Sequence, residues 1–292
     1  MSEKVLGVFG GSGVYDIKGF SDKKWITVES PWGTPSDQVL VGELEGTKTV
    51  FMPRHGRGHK TSPSDINYCA NIDVMKRMGV TDILSVSACG SLKEDLAPGH
   101  FVIVDQFIDR SFARKKSFFG EGLVAHVSMA HPTSPWLGDL AESSCKDIGI
   151  TYQRNGTYLV MEGPQFSTLA ESNLYRQWGC DVIGMTNMPE AKLAREAEMR
   201  YATVAMVTDF DCWHPDHDNV DVAMVIETLM ANADKARALV KHVAAHINRT
   251  ESTPTCGTDT CLDMALITAP DARDPVLAAK LESIAGRALG GK

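Results

Sequence analysis

Apolar and polar positions along this chain form an alternating series. Seven short apolar runs read as strands: 4–9, 49–52, 82–86, 101–104, 157–161, 181–185 and 202–207. The last of them, Ala-Thr-Val-Ala-Met-Val, is β-branched-rich and uncharged, as a strand buried on both faces would be. Helical stretches separate the runs. The clearest spans 63–78, with Ser62 as N-cap, Pro63 at the first helical position and Gly79 past the end. Others cover 168–178, ending at Gly179, then 189–198, opening with Pro, and 221–247. The last places Val222, Val225, Ile226 and Leu229 on one face. Such alternation predicts an α/β fold, a single domain with a central mixed, partly parallel β-sheet flanked by helices. Residues 250–263, rich in Thr, Ser, Pro and Gly, break the composition and lead to a last helix over 275–289. A tail of about forty residues is marginal for an independent core. Residues 250–292 are therefore expected as a C-terminal extension, packed on the 1–249 domain or on a neighbouring subunit.

Composition narrows the class. A net charge of −8 argues against a nucleic-acid partner, yet it leaves room for a locally positive site that takes a small anion. No apolar run approaches the roughly 20 residues of a membrane span. The start, Met-Ser-Glu-Lys-Val, has no signal-peptide core. The expectation is a cytoplasmic protein without membrane contact. Of seven cysteines, only Cys256 and Cys261 lie close together. Two sulfurs fall short of a structural zinc site, and a reducing compartment disfavours a disulfide.

Chemistry concentrates where strands end. The first strand runs into Gly10-Gly-Ser-Gly13, the second into Pro53-Arg54-His55-Gly56 and the third into Ser87-Ala88-Cys89-Gly90. The fifth is followed by Glu162-Gly-Pro-Gln-Phe166-Ser167, the sixth leads into Met185-Thr186-Asn187, and the seventh gives Thr208-Asp209-Phe210-Asp211-Cys212-Trp213. Ligands of open α/β sheets sit at such an edge. The glycine cluster admits an oxyanion to the backbone N–H groups, and Ser12 adds a hydroxyl. It is neither a Walker A loop nor a dinucleotide fingerprint, because Asp16 stands where the third Gly belongs; an NAD-dependent oxidoreductase fits poorly. Arg54 offers a rigid fork for phosphate oxygens, whereas Arg57, His59 and Lys60 read as solvated loop charges. Asp209 and Asp211 can cap the next helix, recognise a flat nitrogen-rich ligand or bind a metal. His214, Asp216, His217 and Asp218 match no defensible ligand spacing and read as a polar loop, so no metal or cofactor is expected. An anion site without a metal motif suggests inorganic phosphate as a reactant.

These segments carry a resemblance. Gly10–Gly13, Pro53-Arg-His-Gly56, Asn67-Tyr68 with Ala70-Asn71, Ala88-Cys-Gly-Ser91 and Asp105-Gln-Phe-Ile-Asp-Arg110 occur in order. Met161-Glu-Gly-Pro164, Ala170-Glu-Ser172, Met185-Thr186, Pro189-Glu190 and Thr208–Trp213 follow. Over residues 4–247 the chain resembles the 5′-methylthioadenosine phosphorylases of the trimeric purine nucleoside phosphorylase superfamily. The resemblance implies phosphate-dependent cleavage of a nucleoside, with phosphate held by Ser12, Arg54, His55, Ser87, Ala88 and Thr186. It places Met185 under the ribose, Phe166, Cys89 and Gly90 along the sugar and base, and Asp209 and Asp211 against the purine. Ser167, Val222, Val225 and Ile226 would set specificity, the three apolar residues around the 5′ substituent. His126 would reach a neighbouring subunit's site, so a homotrimer or a dimer of trimers is implied.

The chemistry is compatible with that assignment. Cleaving an N-glycosidic bond gives the sugar oxocarbenium character, and the leaving purine needs a proton at N7. A partly buried carboxyl beside a second acid keeps its proton to higher pH and suits that donation; Asp209 takes this role and Asp211 accepts from a 6-amino group. A broader adenosine or purine nucleoside phosphorylase and a methylthioinosine phosphorylase are the nearest alternatives. A 6-oxopurine would favour an amide over the second acid. A non-catalytic nucleoside-binding protein on the same fold is the alternative from another class.

Overall fold

All seven apolar runs form strands in the structure, a computed structural model that describes residues 3–11, 13–215, 222–251 and 257–290, with backbone alone for 222–224. In chain order the predicted strands are β1 (Leu6–Gly10), β4 (Thr47–Pro53), β5 (Asp82–Ser91), β6 (Phe101–Val104), β9 (Thr157–Val160), β10 (Val182–Gly184) and β11 (Arg200–Asp209). Four more join them: β2 (Ser21–Ile26), β3 (Val39–Leu44), β7 (Gln106–Asp109) and β8 (Tyr152–Arg154). The pattern missed these for physical reasons. β2 is a largely exposed edge strand with two lysines and an aspartate, and β7 and β8 are short and only half-buried.

The predicted sheet is mixed and partly parallel, and so is the observed one. β1 pairs in parallel with β4 and β5, and β5 in parallel with β11. β2–β3, β3–β4, β5–β10 and β6–β11 are antiparallel. Residues alternate between faces with period two. Leu6 and Val8 of β1 join Leu84, Val204, Leu137 of α2 (Pro135–Asp147) and Val240 of α5 (Val222–Ile247) in one core. Phe9, Met52, Ile83 and Tyr201 face the opposite core, with Ile72 of α1 (Tyr68–Arg77), Leu193 of α4 (Asn187–Glu196) and Ile284 of α7 (Glu282–Leu289). No helix among the described residues is long and apolar enough to cross a membrane.

Several helix boundaries differ from expectation. The helix expected over 63–78 starts at Tyr68, because the Asn67 side chain caps it by accepting from the Ala70 amide at 3.0 Å. Ser62, the expected cap, donates to the Asp65 carboxylate instead. The helix over 168–178 appears as α3 (Leu169–Gln177), with Thr168 and Glu171 forming a capping box. α4 opens two residues before Pro189, across a non-helical Met188. α2 lay outside the expected elements, although Ser134 before Pro135 is the same start signal. The tail helix is broken at Leu281 into α6 (Pro275–Lys280) and α7. The tail packs on the body of the chain: Leu266 bridges Ala125, Ser283 bonds Asp73, and Arg287 pairs with Glu198. Cys256 lies outside the described residues, and Cys261 Sγ lies 3.0 Å from the Arg195 carbonyl.

Candidate active site

Register explains why the chemistry-bearing strand ends converge. β1, β4, β5 and β11 run in parallel, so their C-terminal ends share one edge. β10 pairs antiparallel with Gly90 and Ser91. The chain leaving it therefore runs back along β5 and brings Met185 and Thr186 toward Ala88 and Ser87. A cavity of about 280 Å³ opens there. Two devices shape its acidic end. The β11 register slips between Val207 and Asp209, a bulge that re-aims the acids. Gly90 leaves room for the acid: a Cβ there would stand 2.8 Å from Asp209 Oδ1, so the carboxylate would have to shift.

Asp209 and Asp211 are both buried cavity residues rather than helix caps. The Asp211 amide donates to Asp209 Oδ1 at 2.8 Å, and the Thr208 hydroxyl donates to Oδ2 at 2.7 Å. Burial raises the Asp209 pKa, the two hydrogen bonds work against it, and the Asp211 charge adds to the rise. Burial likewise raises Asp211, opposed by the neighbouring Ser172 and Ser167 hydroxyls. Asp211 sits at φ +52°, a left-handed conformation that aspartate tolerates better than most residues. Its Oδ2 is buried without a hydrogen-bond partner among the described residues, so the end of the cavity holds an unused acceptor. Trp213 does not line the cavity; its indole N–H donates to the Ser91 carbonyl at 2.8 Å and ties the segment to β5.

Arg54 and His55 line the same cavity. The expected two-pronged grip of Arg54 on phosphate needs correction. Its Nε and Nη2 hold Glu190 at 2.8 and 3.2 Å, Nη2 also reaches Ser85 Oγ at 2.6 Å, and Nη1 lies 3.4 Å from the Val86 carbonyl. All but one N–H of the guanidinium, on Nη1, thus has a protein partner among the described residues. Burial alone would lower the Arg54 pKa; Glu190 holds it above its usual value. His55 is pushed down to about 4, chiefly by burial and further by Arg54, His59 and Arg114, so its ring is neutral at physiological pH. Its Nδ1 lies 2.9 Å from the Thr61 carbonyl and donates to it.

Ser87, Ala88, Cys89, Gly90, Phe166, Met185, Thr186 and Val225 complete the expected residues in the cavity wall. The Ser87 hydroxyl donates to Asn187 Oδ1 at 3.1 Å, and Thr186 stands at the N-cap of α4 without making a side-chain cap. Burial raises the Cys89 thiol well above its ordinary pKa. Three expected site residues fall elsewhere, and two lie outside the described residues. Ser12 and the Val222 side chain lie outside what the structure describes, as do Asp216, His217 and Asp218. Ile226 is 49% exposed and off the cavity wall: Leu229 and Ala233 continue the face of Val225 at i+4 and i+8, while Ile226 is turned about 100° away. Ser167 is not in the wall; its hydroxyl lies 3.6 Å from Met161 Sδ, and Cys212 Sγ lies 3.3 Å from its carbonyl. His126 is exposed and outside this cavity, its amide bonded to the Ala265 carbonyl.

Other contributors escaped the sequence reading. His59 is exposed, as a solvated loop residue is expected to be, and it also lines the cavity and stacks on His55 with ring centroids 4.1 Å apart. Buried Arg114 donates to the carbonyls of Met185, Met188 and Glu162 at 2.5–2.7 Å, joining the chain after β9 to that after β10. Nothing local in the sequence marks Arg114, whereas the nearness of His59 to His55 was a usable signal.

A parallel core with anion donors and buried acids across one strand-end cavity defines an α/β enzyme of the phosphorylase type. The Phosphorylase superfamily profile matches residues 5–245. The S-methyl-5′-thioadenosine phosphorylase of Rhodospirillum rubrum is 66% identical over 288 residues, covering 99% of this chain and 98% of that protein. Its counterpart from Bradyrhizobium diazoefficiens is 58% identical and covers 100% of both chains. The chain belongs to the S-methyl-5′-thioadenosine phosphorylase family of that superfamily. Among solved structures, a methylthioadenosine phosphorylase from an Antarctic soil metagenomic library superposes with a TM-score of 0.90 at 44% identity, covering 97% of this chain and 99% of that one. A variant adenosine/methylthioadenosine phosphorylase from Schistosoma mansoni, crystallised with methylthioadenosine, gives 0.81 at 33% identity, covering 88% and 96%.

Proposed function

We propose that this chain cleaves 5′-methylthioadenosine with inorganic phosphate, releasing adenine and 5-methylthioribose 1-phosphate. One observation carries the reading at the level of chemistry: a single cavity is lined by buried acids with raised pKa values and by a buried arginine and a neutral histidine. The named relatives point to the substrate. In this reading Arg54, through Nη1, and His55, Ser87, Ala88 and Thr186 hold phosphate together with Ser12. Met185 supports the ribose, and Phe166, Cys89 and Gly90 flank sugar and base. As the glycosidic bond lengthens, positive charge grows on the sugar and negative charge on the purine. Asp209, its pKa raised by burial, acts as the proton donor to N7, and Asp211 accepts from the 6-amino group. Val225 and Leu229 enclose the 5′ group. His126, exposed on the surface, reaches the site of a neighbouring copy, and the active assembly is a homotrimer or a dimer of trimers. Residues 250–292 form an extension of the 1–249 domain.

Turnover of methylthioadenosine, adenosine and methylthioinosine, each with and without phosphate, tests this directly. Methylthioadenosine should be preferred and turnover should stop without phosphate; preference for the inosine analogue would remove the base-recognition argument. Val225→Asp should shift relative kcat/KM from methylthioadenosine toward adenosine by about tenfold or more, because a buried carboxylate rejects the methylthio group. Unchanged selectivity in that variant would return Val225 to plain packing.

A further inference from the structure

Behind the cavity wall, a polar network occupies what would otherwise be core. Arg54, Ser85, Asn187, Glu190, Tyr201 and Thr203 are all buried. Glu190 Oε1 accepts from the Ser85 and Tyr201 hydroxyls at 2.8 Å each, besides Arg54. The Asn187 amide nitrogen lies 2.7 Å from the Tyr201 oxygen, 2.8 Å from Thr203 Oγ1 and 3.1 Å from Ser85 Oγ. Its Oδ1 takes the Ser87 hydroxyl, and Thr203 Oγ1 donates to Tyr201 at 3.0 Å. A single connected set thus runs from Ser87 through Asn187 and Tyr201 to Glu190 and Arg54, across β5, α4, β11 and the end of β4. Apolar residues of similar volume would make this core at least as stable, since buried ion pairs rarely exceed a well-packed hydrophobic replacement. What they would not do is hold two cavity-lining polar groups in fixed relation.

We propose that Tyr201, Asn187 and Glu190 are positioning residues for the phosphate end of the site, joining Arg54 and Ser87 into one rigid anion-binding unit. The inference rests on the reading of Arg54 and Ser87 as phosphate donors. Glu190 occupies the forked edge of Arg54, so the guanidinium meets the anion through Nη1 alone and its direction is set from behind. The Ser87 hydroxyl oxygen is held 3.1 Å from Asn187 Oδ1, which fixes its place in the wall while its proton remains free to turn to an anion oxygen. Tyr201 links the two branches through one phenolic oxygen.

The test is a double-mutant cycle on Tyr201→Phe and Ser87→Ala, with KM for phosphate, KM for nucleoside, kcat and Tm measured for each. Tyr201→Phe is expected to raise KM for phosphate by about tenfold, the weight of one buried hydrogen bond, with KM for nucleoside changed less than about twofold. The double variant should lose less phosphate affinity than the product of the single losses, because both act through Asn187. Additive losses, equal shifts in both KM values, or a fall in Tm with both KM values unchanged would each overturn the proposal. Should Tyr201→Phe fail to fold, Thr203→Val, which removes a partner of both Tyr201 and Asn187, takes its place under the same criteria. Wild-type turnover that needs no phosphate would instead refute the underlying reading and is distinguished by the wild-type measurement alone.

Discussion

Asp209→Ala is expected to lower kcat by about 100- to 10,000-fold, the usual range for removing a general acid, while phosphate binds nearly as tightly as before. The separation follows from the site's layout. Asp209 bonds with Thr208 and Asp211 at the acidic end, and none of its bonds reaches Arg54 or His55. Its pKa is raised chiefly by burial. The sign of the pH effect follows: the active form is the protonated one, and that form is lost as pH rises through the folded-state value. The profile of kcat should therefore fall on its alkaline side at a pH above that of an ordinary aspartate. In Asp209→Asn that limb should vanish along with most of the rate. Equal losses in turnover and phosphate affinity would assign Asp209 to anchoring the site.

Arg54→Met should cost about 3–5 kcal/mol of stability and abolish measurable phosphate binding. The stability loss comes from the partner left behind: Glu190 is 1% exposed, and without Arg54 its charge has no counter-ion at hand. Two hydroxyls still donate to it, but they do not neutralise it. The double variant Arg54→Met with Glu190→Leu should recover much of the stability and none of the phosphate binding, because an apolar pair of similar volume fills the space without an unpaired charge. Urea unfolding read by circular dichroism gives the first quantity and titration with phosphate the second. A double variant no more stable than the single one would place the cost in lost packing.

How far the sequence was legible depends on the reach of each interaction. β1, β4, β5 and β11 are short apolar runs whose composition already says that both faces are covered. The acids after β11 and the arginine after β4 stood out because strand ends are where ligands sit in such sheets. The resemblance then assigned them to the two ends of one substrate. By contrast, β2 pairs only with β3 at a charged edge, and its pattern looks like loop. Ser62 before Pro63 marked the expected start, whereas the observed cap is Asn67, a choice that local propensity does not make. His59 and Ile226 show the same limit. One is exposed as expected yet also stacks on His55 at the cavity; the other shares an apolar stripe with Val225 yet turns outward, because a helix face spans more than a cavity does.

By itself the sequence determined the alternation of strands and helices in one α/β domain and the chemical character of each strand end, the arginine after β4 and the acid pair after β11 included. These are properties of contiguous residues, governed by periodicity and turn chemistry. Only the tertiary structure decided how Arg54 is used. Its fork grips Glu190, 136 residues away in the chain, which leaves one N–H, on Nη1, without a partner among the described residues. It also decided that Asp209 is buried, which raises its pKa, and that Tyr201, the second residue of β11, joins Asn187 to Glu190. Desolvation and the pairing of buried polar groups depend on which distant segments exclude water from one another, and the linear order of residues does not state that.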